Sequence, residues 1–162
     1  AAARNKFRIA SENPAKIKQV KKLLKKHRGE AVLIIGMYID QIRQLAKELD
    51  IPVLTGKTSQ LEREKVYKDF REGRIKALAL SKIANFAVDL PDASVAVQIS
   101  GTFGSRQEEA QRLGRILRPK EGSNQAHFYS LVSRDTVEQD YALKRQLFLC
   151  EQGYQYNIEE VK

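Results

Sequence analysis

The segment Gln111, Arg112, Leu113, Gly114, Arg115, Ile116, Leu117, Arg118 and Pro119 sets three arginines at three-residue spacing and closes them with a proline. Arginine stays charged at any physiological pH, and its planar fork of donors fits phosphate oxygens two at a time. On a helix of 3.6 residues per turn, steps of three drift by only about 60°, so Arg112, Arg115 and Arg118 share a flank while Leu113, Ile116 and Leu117 face a core. Gly114 has no side chain and lets a ligand or backbone come close beside Arg115. The chemistry that suits such a comb is neutralisation of phosphate charge, on a nucleotide or a nucleic-acid backbone. A solvated basic helix is the plain alternative, and three arginines alone do not decide between the two.

The elements that must position this comb follow from hydrophobic patterning. From residue 30 onward, short apolar runs alternate with amphipathic ones, which is the sequence form of an α/β fold with a parallel sheet and helices on both faces. Strands are expected at 31–35, 53–54, 75–80, 94–99 and 126–132, with an edge strand at 154–158. The run 31–35 is apolar without alternation, as a strand buried on both faces should be. Helices are expected at 39–49, from the Ser59/Glu62 capping box to about Glu72 before Gly73, at 105–117 and at 135–150.

In an open parallel sheet, ligands gather at the loops beyond the carboxyl ends of the strands. The residues expected there are Gly36 and Met37, then Ser81 and Lys82, then Ser100 to Gly104, while Thr55, Gly56 and Lys57 form a loop before the capped helix. Ser81 can give a hydroxyl to a phosphate, and Gly36, Gly101 and Gly104 let backbone amides approach a nucleic-acid strand. Each is also an ordinary turn residue. Gly56, Lys57 and Thr58 imitate the end of a phosphate-binding P-loop, G-x-x-x-x-G-K-[ST]. The first glycine of that motif would fall on Ile51, and Pro52 next to it lacks an amide donor, so these residues read instead as a loop that contacts a nucleic-acid backbone.

The chain has 162 residues, enough for one domain, and a net charge of +9. Ten of its basic residues lie within residues 1–28 against a single acid, Glu12, so the remaining 134 residues balance. Asn13 and Pro14 open a helix there whose apolar side is Ile17, Val20 and Leu24, with lysines around the rest. The expected organisation is a basic helical leader over 1–28 followed by a domain over 29–162. The leader is either a phosphate-backbone contact or a solvated helix. The lone cysteine, Cys150, excludes an internal disulfide, and no residue cluster suggests a metal site. No apolar run approaches the roughly 20 residues that span a bilayer, so a soluble intracellular protein without a membrane partner is expected. His27 and His127 are too distant in sequence to suggest a pair, and His127 reads as a packed or surface strand residue.

Three ordered stretches resemble motifs of superfamily 2 helicases and translocases. VLIIGMYIDQIRQLAKEL (32–49) is similar to the fourth motif, SKIANFAVDLPDASVAVQIS (81–100) to the fifth, and GTFGSRQEEAQRLGRILRPK (101–120) to the last. The last resembles the XPB branch in particular, and the likeness covers about 31–150. It implies a RecA-like lobe, P-loop NTPase-like in fold but without a P-loop, serving as the second lobe of a DNA-dependent ATPase of the 3'-5' helicase or translocase kind. By family position Arg115 and Arg118 are arginine fingers, and Asp89, Gln111 and Arg112 lie near the nucleotide. ATP and Mg²⁺ belong chiefly to an amino-terminal helicase lobe of the same parent chain. DNA is the implied substrate, with a repair nuclease or transcription factor as further partner. The location is cytoplasmic or nucleoid in a prokaryote and nuclear in a eukaryote. Gln111 in place of His, Ser81 in place of Thr and Ala87 in place of Gly depart from the commoner helicase form and fit the XPB branch. The alternative is a non-catalytic basic module that binds nucleic acid.

Overall fold

The computed structural model describes residues 15–81, 93–100, 117 and 126–131. In chain order they form α1 (Ala15–Lys26), β1 (Val32–Gly36), α2 (Ile39–Leu49), β2 (Val53–Leu54), α3 (Gln60–Arg71), β3 (Ala77–Ser81), β4 (Val95–Gln98) and β5 (His127–Ser130). Every expected strand and helix within these residues is present, shifted by a residue or two at its ends. The helices expected over 105–117 and 135–150 and the strand over 154–158 lie outside the described residues, Leu117 excepted. Leu117 makes an isolated parallel bridge to Ala93.

The strands form one sheet in the order β2-β3-β1-β4-β5. All four pairings are parallel. β1 is central and has no exposed residue, which is why VLIIG needs no polar alternation. Its side chains divide between two cores. Val32 and Ile34 pack on one face with Ile42, Leu45 and Ala46 of α2 and Val20 of α1. Leu33 and Ile35 pack on the other with Tyr67 and Phe70 of α3. The chain leaves β1 through α2 on one face, reaches β2, and returns to β3 through α3 on the opposite face. Two right-handed crossovers travelling in opposite directions require that arrangement.

Local chemistry sets the helix ends. Ser59 accepts a hydrogen bond from the Glu62 amide at 3.2 Å, as the capping box predicts. Gly73, with φ of 79°, follows the last turn of α3. α2 ends at Asp50, a non-glycine residue at φ 54°, whose amide bonds back to Ala46 and Lys47.

α1 carries the basic charge and also a core face. Val20 is fully buried, and Ile17, Leu23 and Leu24 pack beside it. Lys16 lies on the same side, 5% exposed, its ammonium donating to the carbonyl of Ile99 at 2.7 Å. Lys16, Val20, Leu23, Leu24 and His27 follow helical periodicity, so a lysine and a histidine sit in the apolar register. That register is the signal in the sequence that these two side chains are not solvated.

Candidate nucleotide and nucleic-acid edge

Strand register brings the candidate residues to one side of the sheet. Gly36 pairs with Ser81 and Ile35 with Gln98. Leu54 pairs with Leu80, so Thr55 stands level with Ser81. Across β2, β3, β1 and β4 the edge therefore presents Thr55 to Lys57, Ser81, Gly36 with Met37, and Ser100, over about 14 Å at roughly 4.8 Å per strand.

The parts of this edge are built differently. Gly36 is the last residue of β1 rather than a loop residue, and it is buried. A side chain there would put its Cβ 3.1 Å from Cδ1 of Ile42 and 3.2 Å from Cγ1 of Ile99, so the packing of α2 and Ile99 leaves a side chain crowded at this position. Beyond it, the Met37 amide donates to Ser100 Oγ at 2.8 Å and ties the loops after β1 and β4 together. Ser81 is 1% exposed, and among the described residues its hydroxyl has no hydrogen-bond partner. A buried hydroxyl left without a partner costs on the order of 1–3 kcal/mol, the kind of defect that a ligand at the edge relieves.

The loop after β2 is closed on itself. The Thr55 amide donates to Thr58 Oγ1 at 2.9 Å, the Lys57 amide to Thr55 Oγ1 at 3.2 Å, and the Thr58 amide to the Thr55 carbonyl at 3.1 Å. Arg63 also donates to that carbonyl, at 3.2 Å. A P-loop must turn its amides toward a phosphate. Here three of them are engaged within the turn, while Gly56 and Lys57 stand exposed. Among the described residues no group of three His, Cys, Asp or Glu is arranged to hold a metal ion. Lys82, Asp89, Gly101, Gln111, Arg112, Arg115 and Arg118 lie outside the described residues.

Sequence reasoning missed two contacts. The first is Lys16, whose ammonium sits beneath the edge at Ile99, one residue before Ser100. The second is a polar cluster at the amino edge of the sheet, and it corrects the reading of the two histidines as unrelated. The rings of His27 and His127 lie 4.9 Å apart. His27 Nε2 shares a 2.6 Å hydrogen bond with the Tyr129 hydroxyl, and Nδ1 lies 3.2 Å from Glu30. Ser94 donates to the second oxygen of Glu30 at 3.0 Å. A separation of 100 residues vanishes because α1 ends against β5, and residue spacing carries no signal for that.

Burial alone would raise the Glu30 carboxyl, but hydrogen bonds from His27 and Ser94 and the positive charge of His27 and His127 more than offset it, leaving Glu30 below its ordinary value of 4.5. A depressed carboxylate adds stability that is present above its unfolded pKa and is lost as pH falls through the folded one. Between about pH 6 and pH 3, urea unfolding should therefore show a larger loss of stability for the natural chain than for Glu30→Gln. Equal losses would show that the cluster does not hold the carboxylate.

A parallel five-stranded sheet with helices on both faces and its candidate loops along one carboxyl edge defines a RecA-like lobe. Consistent with that class, the C-terminal domain of the DEAD-box protein Dbp5 superposes with a TM-score of 0.71 over 86% of this chain and 82% of that one, at 20% identity. Residues 1–161 match the family described as ERCC3/RAD25/XPB C-terminal helicase, and the chain belongs to it. Among its relatives, a protein of Kineococcus radiotolerans named DNA 3'-5' helicase XPB is 56% identical over 94% of this chain and 28% of its own length. A protein of Enterocytozoon bieneusi, named general transcription and DNA repair factor IIH helicase/translocase subunit XPB, is 43% identical over 89% of this chain and 25% of its own. The chain thus spans about a quarter of these relatives. No helix among the described residues is long and apolar enough to cross a membrane.

Proposed function

We propose that the chain is the second motor lobe of a DNA-dependent ATPase of the 3'-5' helicase or translocase kind. The observation that carries this reading is the alignment of the carboxyl ends of β1, β2, β3 and β4 on one edge of a RecA-like sheet, in a chain of the XPB family. Arg115 and Arg118 act as fingers on the γ-phosphate, and Asp89, Gln111 and Arg112 contact the nucleotide. Met37, Gly56, Lys57, Ser81, Lys82 and Gly101 meet the DNA backbone, with the buried Thr55 holding the turn that exposes Gly56 and Lys57 and Gly36 setting the close packing behind them. The closed turn at Thr55 to Thr58 supports assigning ATP and Mg²⁺ to an amino-terminal lobe of the parent chain. A repair nuclease or transcription factor is the further partner class, and the nucleoid or nucleus the site of action. On this reading residues 29–162 are the helicase lobe and 1–28 its basic leader, with α1 of the leader packed into the same core.

Joining this chain to a matching P-loop lobe should produce DNA-stimulated ATP hydrolysis. No stimulation over the P-loop lobe alone would favour a non-catalytic nucleic-acid-binding module. The 162-residue chain by itself should neither turn over ATP nor bind it tightly. Sub-micromolar binding in calorimetry, or turnover that survives purification, would count decisively against the half-motor reading.

A further inference from the structure

α1 contains no acidic residue, and Lys18, Lys21, Lys22 and Lys25 are all exposed. At 100° per residue these four fall within an arc of about 100°, opposite the stripe that enters the core. None of them forms an ion pair among the described residues. Lys26, next to them, lies 5.9 Å over the ring of Tyr129. The four ammonium groups are therefore neither neutralised nor covered by this part of the fold.

The helix that carries them is held at both ends. Lys16 fixes its first turn to Ile99 at the carboxyl edge, and His27, just past its last turn, fixes it to Tyr129 and, through Glu30, to Ser94 at the amino edge. α1 therefore runs antiparallel to the strands, and its lysine stripe starts beside the ligand edge and descends the face of the sheet. A docked helix presents its charges without the ordering cost of a floating leader.

We propose that this stripe grips the phosphate backbone of duplex DNA, as a surface separate from the strand-edge loops. From Lys18 to Lys25 the stripe covers about 10 Å at 1.5 Å per residue, a length over which a duplex carries about six phosphate charges. A membrane-surface helix sets aromatic or large aliphatic side chains opposite its lysines and leaves them free to insert, and a protein interface needs an apolar anchor. The apolar side chains of α1 are taken up by the sheet, so charge alone is on offer, and charge alone is what a phosphate backbone requires. A duplex engaged at the carboxyl edge and continuing down this face meets the lysines in succession.

The test uses the 162-residue chain and a labelled duplex of about 30 base pairs, with affinity measured by fluorescence anisotropy across a salt series. Lys18→Gln, Lys21→Gln, Lys22→Gln and Lys25→Gln combined should flatten the slope of log affinity against log salt by about 0.9 for every phosphate no longer neutralised, about 3 to 4 in all. The corresponding lysine-to-arginine combination should keep the original slope. Both variants should melt with the natural chain, because all four side chains point to solvent. An unchanged slope in the glutamine variant overturns the proposal, and so does a flattened slope in the arginine variant. Tighter binding of the natural chain to phosphatidylserine vesicles or to polyglutamate than to the duplex, at equal ionic strength, overturns DNA as the occupant. Because Lys57 and Lys82 are untouched, failure of this surface leaves the motor reading standing, and failure of the joined-lobe ATPase leaves this surface standing.

Discussion

In a full motor carrying this lobe, Arg115→Ala or Arg118→Ala should lower the maximal ATPase rate by at least about a hundredfold while ATP binding to the P-loop lobe stays largely intact. A finger meets the γ-phosphate only when the two lobes close, so it acts on the transition state more than on the bound ground state. Arginine fingers in phosphoryl-transfer systems are worth about 10³ to 10⁵ in rate, which leaves a hundredfold loss well inside the expected range. Arg→Lys rescues poorly, because a point ammonium does not reproduce the two-pronged fork. Lys57→Ala is the control. Its neighbours' amides are engaged within the Thr55 to Thr58 turn, so the side chain stands on a loop that does not cradle phosphate. It should alter DNA affinity at most. Abolished hydrolysis in Lys57→Ala, with both arginine variants near wild type, would reverse the assignment of the two sites.

The positions of the strands are readable because a parallel strand buried on both faces leaves an unbroken apolar run, as 31–35 does, whereas their order β2-β3-β1-β4-β5 is not. The capped start of α3 is readable too, since Ser59 and Glu62 meet a local rule that needs no tertiary partner. What local rules do not encode is which side chains meet across the fold. Gly36 has the sequence context of a loop glycine, and only the packing of Ile42 and Ile99 around it shows that a side chain there would be crowded. The pairing of His27 with Tyr129 depends on β5 lying beside β4. Lys16 falls in with the other leader lysines on charge alone, because net charge is blind to helical phase. Its place in the apolar register distinguishes it from Lys18, Lys21 and Lys22, and Ile99 supplies its partner. The arginine comb, which lies outside the described residues, rests only on its resemblance to a motif, since three-residue spacing serves a solvated helix equally well.

The same phase argument makes residues 1–28 costly to remove. Deleting them should abolish cooperative unfolding, with exposed apolar surface detectable by dye binding, rather than merely weakening DNA affinity. Val20 is fully buried, and Ile17, Leu23 and Leu24 pack on the face formed by Val32, Ile34, Val95 and Val97. One fully buried and three partly buried aliphatic side chains amount to roughly 5 kcal/mol at about 1.5–3 kcal/mol for each full burial. Domains of this size hold only about 5–15 kcal/mol in total. The deletion also leaves the Ile99 carbonyl and the Tyr129 hydroxyl without Lys16 and His27, at a further cost on the order of 1–3 kcal/mol each if they stay dry. The losses together, roughly 7–11 kcal/mol, fall within the range of a domain's whole stability. Val20→Ala, which removes two methyl groups from the same site, should cost only about 1–3 kcal/mol and keep a single cooperative transition. Thermal unfolding of the two variants decides the matter: a sharp transition for the deletion within a few degrees of the full chain would mean that α1 is dispensable to the core.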